Sequence, residues 1–245
     1  MAAVRLFLLV LLMGAAAMAE DDRADERRQM VDEIVSLSRQ AGGEGSAGQI
    51  DARVLAAMGK VPRHQFIPTL QRRSAYRNRP LSIGSGQTIS QPFIVALMTD
   101  LLELEPGDVT LEVGAGVGYQ AAILSELVNK VYSIELIEEL ALDTRKRLKN
   151  LGYRNIEVGI GNGYYGWSEH APFDKIMVTA APDLIPPPLL AQLKPGGKMV
   201  IPTGIPDKQQ LVLVEKSDEG KLATREVLPV RFSELDEGGD FAGAA

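Results

Sequence analysis

The chain has 245 residues, 45% hydrophobic and 24% charged, which is typical of a globular protein and excludes disordered, collagen-like and coiled-coil classes. Its 26 Lys and Arg against 32 Asp and Glu give a net charge of −6, so we expect no nucleic-acid partner, because such a partner requires a positive surface. The chain has no cysteine and only two histidines, His64 and His170, which excludes disulfides, thiolate metal sites and histidine-rich metal sites.

The first residues form the pattern of a secretory signal. Arg5 precedes an apolar run at residues 6–13, and small residues follow up to Ala19, where an acidic stretch begins. We predict a signal peptide at residues 1–19 and an exported, periplasmic protein without stable membrane association. A cytoplasmic location is the alternative. An uncleaved membrane anchor is disfavoured, because the apolar run is shorter than the roughly 20 residues that span a bilayer.

Two helices are predicted next. Residues 20–40 are charged and moderately periodic, which indicates a surface helix. Residues 50–58 place Val54 and Met58 on one face of a second helix. These helices belong to a predicted N-terminal region at residues 20–89.

From residue 90 onward the apolar pattern alternates between strands and helices. Short apolar runs predict strands at residues 109–113, 131–134, 156–160, 175–179 and 198–201. This alternation predicts an α/β fold with a mostly parallel sheet, because each crossover passes through a helix. Residues 210–214 and 225–230 are predicted to close the sheet as an antiparallel hairpin. The main domain is predicted at residues 90–235, followed by a flexible tail at residues 236–245.

Helix boundaries follow from capping residues. Ser90 is predicted to cap a helix that has Pro92 in its first turn. A later helix at residues 137–151 begins with acidic residues, ends with basic residues and stops at Gly152, which is the order that the helix dipole favours.

A glycine loop follows the first predicted strand of the main domain. Gly114, Gly116 and Gly118 would lie at the carboxyl ends of the parallel strands, where ligands bind in such sheets. Glu135 ends the next strand and can accept hydrogen bonds from both hydroxyls of a ribose. The G-x-G-x-G spacing, with Tyr119 after it, departs from the dinucleotide fingerprint, and no P-loop sequence is present.

Glu112 stands just before this loop. A carboxylate there would oppose a pyrophosphate but suits a ligand that carries a sulfonium and an ammonium group. The loop therefore favours S-adenosyl-L-methionine over NAD as the cofactor.

Motifs on both sides of the loop resemble those of the protein-L-isoaspartate O-methyltransferase family, over roughly residues 50 to 232. They are VPRHQFIP at 61–68, PLSIGSGQTISQP at 80–92, LEVGAGVGYQAA at 111–122, VYSIE at 131–135, FDKIMVTAAP at 173–182 and LKPGGKMVIP at 193–202. The resemblance implies a Rossmann-like, doubly wound class I methyltransferase fold. It also implies methyl esterification of the free carboxylate of L-isoaspartyl residues in damaged proteins and peptides, which initiates repair through a succinimide.

The resemblance also implies roles for particular residues. Ser90 is the expected catalytic residue and would orient the substrate carboxylate. Substrate-binding residues are expected at Thr88, Ile89 and Ser90. Cofactor-binding residues are expected at Glu112, Gly114, Gly116, Gly118, Glu135, Asn162 and Gly163. We expect a monomer that acts on isoaspartyl proteins and peptides and holds no metal.

Some positions differ from what is usual in the family. Asn162 stands where an acid is usual, although its side-chain oxygen can still accept from an adenine amino group. Phe93 stands where a histidine is frequent, and Ser233 and Glu234 stand where an apolar residue and a proline are usual. Two alternatives stay open: a methyltransferase with another acceptor, and a non-catalytic relative that only binds damaged proteins.

Overall fold

The computed structural model describes residues 23–41, 50–84 and 86–236. The predicted signal peptide at residues 1–19 lies outside these ranges, as does the predicted tail beyond residue 236. No helix in the described ranges is both long enough and apolar enough to cross a bilayer.

A seven-stranded sheet forms the centre of the described chain. The described residues form nine strands, of which seven belong to this sheet. In chain order they are β1 (Leu81–Gly84), β2 (Gln87–Ile89), β3 (Val109–Val113), β4 (Lys130–Glu135), β5 (Ile156–Ile160), β6 (Phe173–Val178), β7 (Leu193–Thr203), β8 (Gln209–Lys216) and β9 (Leu222–Val230). β1 and β2 form a separate antiparallel ribbon, and the others are arranged in the order β5-β4-β3-β6-β7-β8-β9. Strands β5, β4, β3, β6 and β7 pair in parallel with their neighbours. Strands β8 and β9 add the predicted antiparallel hairpin at one edge.

The strand order creates a crevice at one edge of the sheet. The chain moves outward from β3 to β4 and β5, then returns to place β6 on the opposite side of β3. Connections therefore leave the neighbouring strands β3 and β6 in opposite directions. In open parallel sheets ligands bind at such a switch point, outside the carboxyl ends of the strands.

Helices cover the sheet and form the N-terminal region. They are α1 (Ala24–Ala41), α2 (Ala52–Lys60), α3 (Pro92–Leu101), α4 (Tyr119–Ser125), α5 (Glu138–Asn150) and α6 (Pro187–Gln192). The predicted charge order of α5 is confirmed, and Gly152 follows it in the left-handed region at φ +87°.

The predicted cap of α3 is wrong. Gln91, not Ser90, is the N-cap residue, and its side chain makes no capping hydrogen bond. The Asn78 side chain instead accepts a hydrogen bond from the Phe93 backbone N–H over 3.0 Å. A residue from an earlier loop therefore satisfies one of the exposed donors of the first turn.

Strand β7 begins five residues earlier than the sequence predicted. Its register against β6 is irregular, because Phe173 pairs with Leu193 while Lys175 pairs with Lys198. Gly196, at φ +74°, lies within this irregular stretch, so the turn-forming residues are accommodated in the strand and do not precede it.

Apolar side chains form a core on each face of the sheet. The larger core joins Met30, Met58 and Phe66 of the N-terminal region to Val131 and Met177 of the sheet. The predicted surface helix α1 therefore contributes buried side chains, and the regions on either side of residue 90 share one core. The proposed division at residue 90 falls in the short link between β2 and α3.

Candidate active site

A cavity of about 480 Å³ opens at the carboxyl ends of β3, β4 and β6, which is a volume typical of small-molecule sites. The β1–β2 ribbon and the start of α3 form one wall, and the residues after β9 form another. Among the lining residues are Thr88, Ser90, Gly114, Gly116, Glu135, Asn162, Gly163, Thr179 and Glu234. The sheet topology thus brings together segments far apart in the sequence.

The first turn of the glycine loop needs a residue without a side chain. Gly114 has φ +93°, and a Cβ atom there would collide with Thr179 Oγ1. That hydroxyl lies 2.9 Å from the Val113 carbonyl and 2.8 Å from the Gly114 carbonyl, to which it can donate. Thr179 therefore holds the loop against the end of β6.

Glu135 connects the glycine loop to the next strand. One carboxylate oxygen accepts from Gly116 N–H over 2.8 Å, and the other accepts from Ile137 N–H over 3.0 Å. A carboxylate has about four lone-pair positions, so each oxygen can still accept a ligand hydroxyl. Glu135 lines the cavity, and its contact with a ribose stays a prediction.

Glu112 does not line the cavity, contrary to its predicted contact with a charged ligand. Its side chain is fully buried beneath the loop and accepts a hydrogen bond from the Ser133 hydroxyl. Its other oxygen has no hydrogen-bond partner among the described residues. Burial raises the pKa of Glu112 to about 8, so this carboxyl is largely neutral at pH 7. That pKa already includes a decrease caused by the Ser133 hydrogen bond and a smaller increase caused by the charge of Glu135.

Gly118 also lies away from the cavity. It is the N-cap of α4 at φ +85°, and a Cβ atom there would lie 2.8 Å from Thr144 Cγ2. The structure therefore explains this glycine by close packing against α5, and not by contact with a ligand.

Ser90 is half-buried and lines the cavity together with Thr88. Its hydroxyl makes no hydrogen bond within the described ranges, whereas its carbonyl accepts from Arg63 Nη2 over 2.6 Å. Ile89, predicted to bind substrate, is 5% exposed, belongs to the larger core and does not line the cavity. Side chains alternate along a strand, so Thr88 and Ser90 face one way and Ile89 faces the other.

Asn162 and Gly163 line the far end of the cavity. Asn162 Oδ1 accepts from the Tyr164 backbone N–H over 2.9 Å, and its Nδ2 is buried without a hydrogen-bond partner in the described ranges. A Cβ atom on Gly163 would collide with Val113 Cγ1. The amide oxygen predicted to contact adenine thus already has a backbone partner, and the unpaired group is a donor.

Three structurally important residues received no role from the sequence. Arg63 is buried under Ser90, Asn78 caps α3, and Thr179 supports the glycine loop. Thr179 is the one polar residue between Ile176 and Pro182, which was an available signal, whereas Arg63 lies beside His64 and Gln65 and does not stand out. Asn78 had no such signal, because its partner is 15 residues away. Neither histidine lines the cavity.

Comparison with known proteins agrees with this geometry. The family model of protein-L-isoaspartate(D-aspartate) O-methyltransferase matches residues 44–239. The chain belongs to this family. A protein-L-isoaspartate O-methyltransferase 1 of Cupriavidus necator is 53% identical over 237 residues, which cover 93% of this chain and 92% of the relative. A protein-L-isoaspartate O-methyltransferase 2 of Polaromonas sp. is 57% identical and covers 84% of this chain and 98% of the relative.

Solved structures of the family have the same fold. A protein-L-isoaspartate O-methyltransferase structure superposes with a TM-score of 0.72 at 27% identity, over 85% of this chain and 66% of that chain. A beta-aspartate methyltransferase of Plasmodium falciparum, solved in complex with S-adenosyl-L-homocysteine, gives a TM-score of 0.69 at 23% identity, over 85% of this chain and 98% of that chain. The predicted fold class and enzyme family are confirmed.

Proposed function

We propose that this methyltransferase-family protein uses S-adenosyl-L-methionine to esterify the free carboxylate of L-isoaspartyl residues in damaged proteins and peptides. The observation that carries the proposal is that Ser90 and Glu135 line the same cavity. The segment expected to bind the acceptor thus faces the loop expected to bind the cofactor. This arrangement supports a site in which two ligands lie side by side, as a direct transfer between them requires.

The residues of the cavity fit this cofactor. Gly116 has no side chain and lies beside Glu135, whose oxygens retain lone pairs for hydroxyl groups. Asn162 Nδ2 is buried without a partner in the described ranges, which favours a ligand that brings a hydrogen-bond acceptor. We propose that these residues, with Gly114 and Gly163, hold the cofactor. When bound, S-adenosyl-L-methionine supplies an electrophilic methyl group.

The acceptor needs no general base. A carboxylate with an ordinary pKa of about 4 is ionised at neutral pH and is already nucleophilic. This agrees with a cavity that neither His64 nor His170 lines. Ser90, whose hydroxyl has no partner within the described ranges, is free to donate to one carboxylate oxygen and to orient the other.

The wall beyond β9 can limit access of water to this reaction. Ala181 N–H donates to the Ser233 carbonyl over 2.8 Å, and Leu235 N–H donates to the Ala181 carbonyl over 2.9 Å. Gln209 fixes the same segment by two hydrogen bonds to the Phe232 backbone. After transfer, the following backbone nitrogen attacks the ester carbonyl, methanol leaves, and a succinimide forms by ordinary peptide chemistry.

The decisive experiment is transfer of labelled methyl to an isoaspartyl peptide and to its aspartyl twin. We expect base-labile incorporation into the isoaspartyl peptide alone. Incorporation into neither peptide, with S-adenosyl-L-homocysteine bound in calorimetry, would indicate another acceptor. Absence of both incorporation and binding would indicate a non-catalytic relative.

We also propose that the protein is exported after cleavage following Ala19 and acts as a monomer. The charge and apolar pattern of residues 1–19 supports export. Mass spectrometry of the mature N-terminus from fractionated cells tests cleavage, and an intact Met1 in the cytosol would contradict it. Light scattering measures the assembly state.

A further inference from the structure

Positive charge is concentrated in the part of the chain beside the acceptor wall of the cavity. The 48 residues from 52 to 99 contain seven Lys and Arg and no Asp or Glu, although the whole chain has a net charge of −6. This stretch includes α2, the β1–β2 ribbon and most of α3.

Four of these cations form an exposed group, which we call the arginine rim: Arg72, Arg73, Arg77 and Arg79. None of them forms a salt bridge with a residue in the described ranges. Arg79 Nη2 donates to Ser74 Oγ over 3.3 Å, which leaves its other donors available. The rim ends one residue before Pro80, which lines the cavity.

The backbone that carries the rim is anchored at several points. Gln71 Nε2 donates to the Ser82 carbonyl over 2.7 Å, which attaches this segment to β1. Arg23 Nη1 donates to the Arg72 carbonyl over 2.6 Å, which attaches it to the start of α1. Because the backbone of the rim is already fixed, this segment loses less chain entropy when a partner binds the guanidinium groups.

Leu70 adds an apolar contact point beside the rim. It is 97% exposed, the highest value among the large hydrophobic side chains of the described ranges, and it lies in the same short helix, Thr69–Ser74. A leucine and several arginines exposed together beside a cavity fit a polypeptide better than a small solute.

We propose that the arginine rim binds acidic side chains that flank the isoaspartyl residue of the substrate. This inference rests on the proposed function and specifies its preferred substrate class. Screening at physiological salt acts over about 8 Å, so a flanking carboxylate at the rim experiences these arginines more strongly than the distant acidic surface. Guanidinium groups bind carboxylates through two parallel hydrogen bonds.

The opposite wall favours a peptide over a nucleic acid at this site. Glu234 and Asp236 line the cavity across from the ribbon, and a continuous phosphate backbone would meet them. An acidic peptide can place its carboxylates on the rim alone, with only the isoaspartyl residue inside.

The test uses three isoaspartyl peptides with the same core and with Glu, Gln or Lys at the flanking positions. We expect kcat/KM to be highest with Glu and lowest with Lys, with about a tenfold range at low salt that shrinks towards unity at high salt. These measurements use the unaltered protein, so misfolding of a variant does not affect them. Equal kcat/KM values for the three peptides would overturn the proposal.

A matched pair of variants then locates the effect. Replacing the four rim arginines with Gln should remove the Glu preference and leave kcat/KM for the Gln-flanked peptide within about twofold. The control replaces four other exposed cations with Gln: Arg39, Lys146, Lys149 and Arg154. The control should retain the preference. Retention in the rim variant, or equal loss in both variants, would contradict the proposal.

Two further outcomes are distinguishable. If no isoaspartyl peptide is methylated, the proposed function fails and kinetics cannot test the rim. The rim proposal then requires that the three peptides bind the protein, in the presence of S-adenosyl-L-homocysteine, with the same charge order. If an oligonucleotide binds through the rim but the peptides show no charge order, the rim is a nucleic-acid site and the proposal is wrong.

Discussion

Arg63 holds Ser90 through the main chain. Its Nη2 donates to the Ser90 carbonyl over 2.6 Å, and its Nε donates to the Ala75 carbonyl over 2.9 Å. The guanidinium is fully buried and lies 4.8 Å from the centre of the Tyr119 ring. Burial lowers the pKa of Arg63, and no described carboxylate forms a salt bridge with it. A buried cation thus joins two carbonyls and fixes the residue whose hydroxyl lies in the cavity.

Replacing Arg63 with Lys tests this support. Lysine keeps the charge but lacks the planar group that joins the two carbonyls, so we expect kcat to fall by about tenfold and the free energy of unfolding to fall by about 2 kcal/mol. Affinity for S-adenosyl-L-homocysteine should change little. The control is Arg53→Lys, because Arg53 also donates to a backbone carbonyl, but that carbonyl belongs to Leu104, which does not line the cavity. A kcat equal to that of the control would contradict a positioning role for Arg63.

Replacing Ser90 with Ala removes the proposed donor to the acceptor. We expect kcat for the isoaspartyl peptide to fall by about tenfold to hundredfold, because one aligned donor is lost. The dissociation constant of S-adenosyl-L-homocysteine, measured by calorimetry, should stay nearly constant. Ser82→Ala serves as the control, since Ser82 is exposed on β1 and does not line the cavity. Unchanged turnover in Ser90→Ala would remove Ser90 from the catalytic site.

The buried carboxyl of Glu112 should make stability depend on pH. Burial raises its pKa from 4.5 to about 8 in the folded protein, so the unfolded chain releases this proton first as pH rises. The neutral carboxyl of Glu112 contributes fully to the free energy of unfolding below about pH 4.5. Between about pH 4.5 and pH 8 this contribution falls by at most about 1.4 kcal/mol per pH unit, and above about pH 8 it is lost.

Urea unfolding of Glu112→Gln between pH 5 and 9 measures this effect. We expect the stability of the variant relative to the unaltered protein to increase up to about pH 8 and then to level off, because Gln cannot ionise. The exposed Glu139 provides the control, and Glu139→Gln should reproduce the original pH profile. Parallel pH profiles for Glu112→Gln and the unaltered protein would show that Glu112 does not titrate in this way.

Asn162→Asp should change which base the cavity prefers. The Tyr164 hydrogen bond fixes the amide orientation, so aspartate would replace the unpaired donor with an acceptor. At positions 6 and 1 of the base, adenine presents a donor and an acceptor, whereas hypoxanthine presents an acceptor and a donor. The ratio of dissociation constants for S-inosyl- and S-adenosylhomocysteine should therefore shift by about tenfold on substitution. An unchanged ratio would mean that Asn162 does not contact the base.

Local patterns in the sequence predicted most of the framework. The strand at residues 156–160 matches β5, and the helix at residues 137–151 agrees with α5 to within one residue at each end. These segments are predictable because apolar periodicity, end charges and Gly152 act within a few residues of each other. Gly114, Gly116 and Glu135 line the cavity, as expected for residues that follow or end neighbouring parallel strands, whereas Gly118 does not.

Contacts between distant segments were decided only by the folded chain. The sequence placed Glu112 against a ligand, but the structure buries its side chain beneath the loop beside Ser133. Alternation along the strand fixes which face Glu112 occupies, but the depth of that face depends on how α4 packs over it.

The cap of α3 and the support of Ser90 both come from residues that are distant in the sequence. Asn78 and Arg63 precede their partners by 15 and 27 residues, so no local pattern records these pairs. Sequence alone therefore determined the fold class, the family and the loop that faces the cavity. The tertiary structure decided which polar groups are buried, paired or left open, because desolvation and hydrogen bonding depend on every segment that packs around a group.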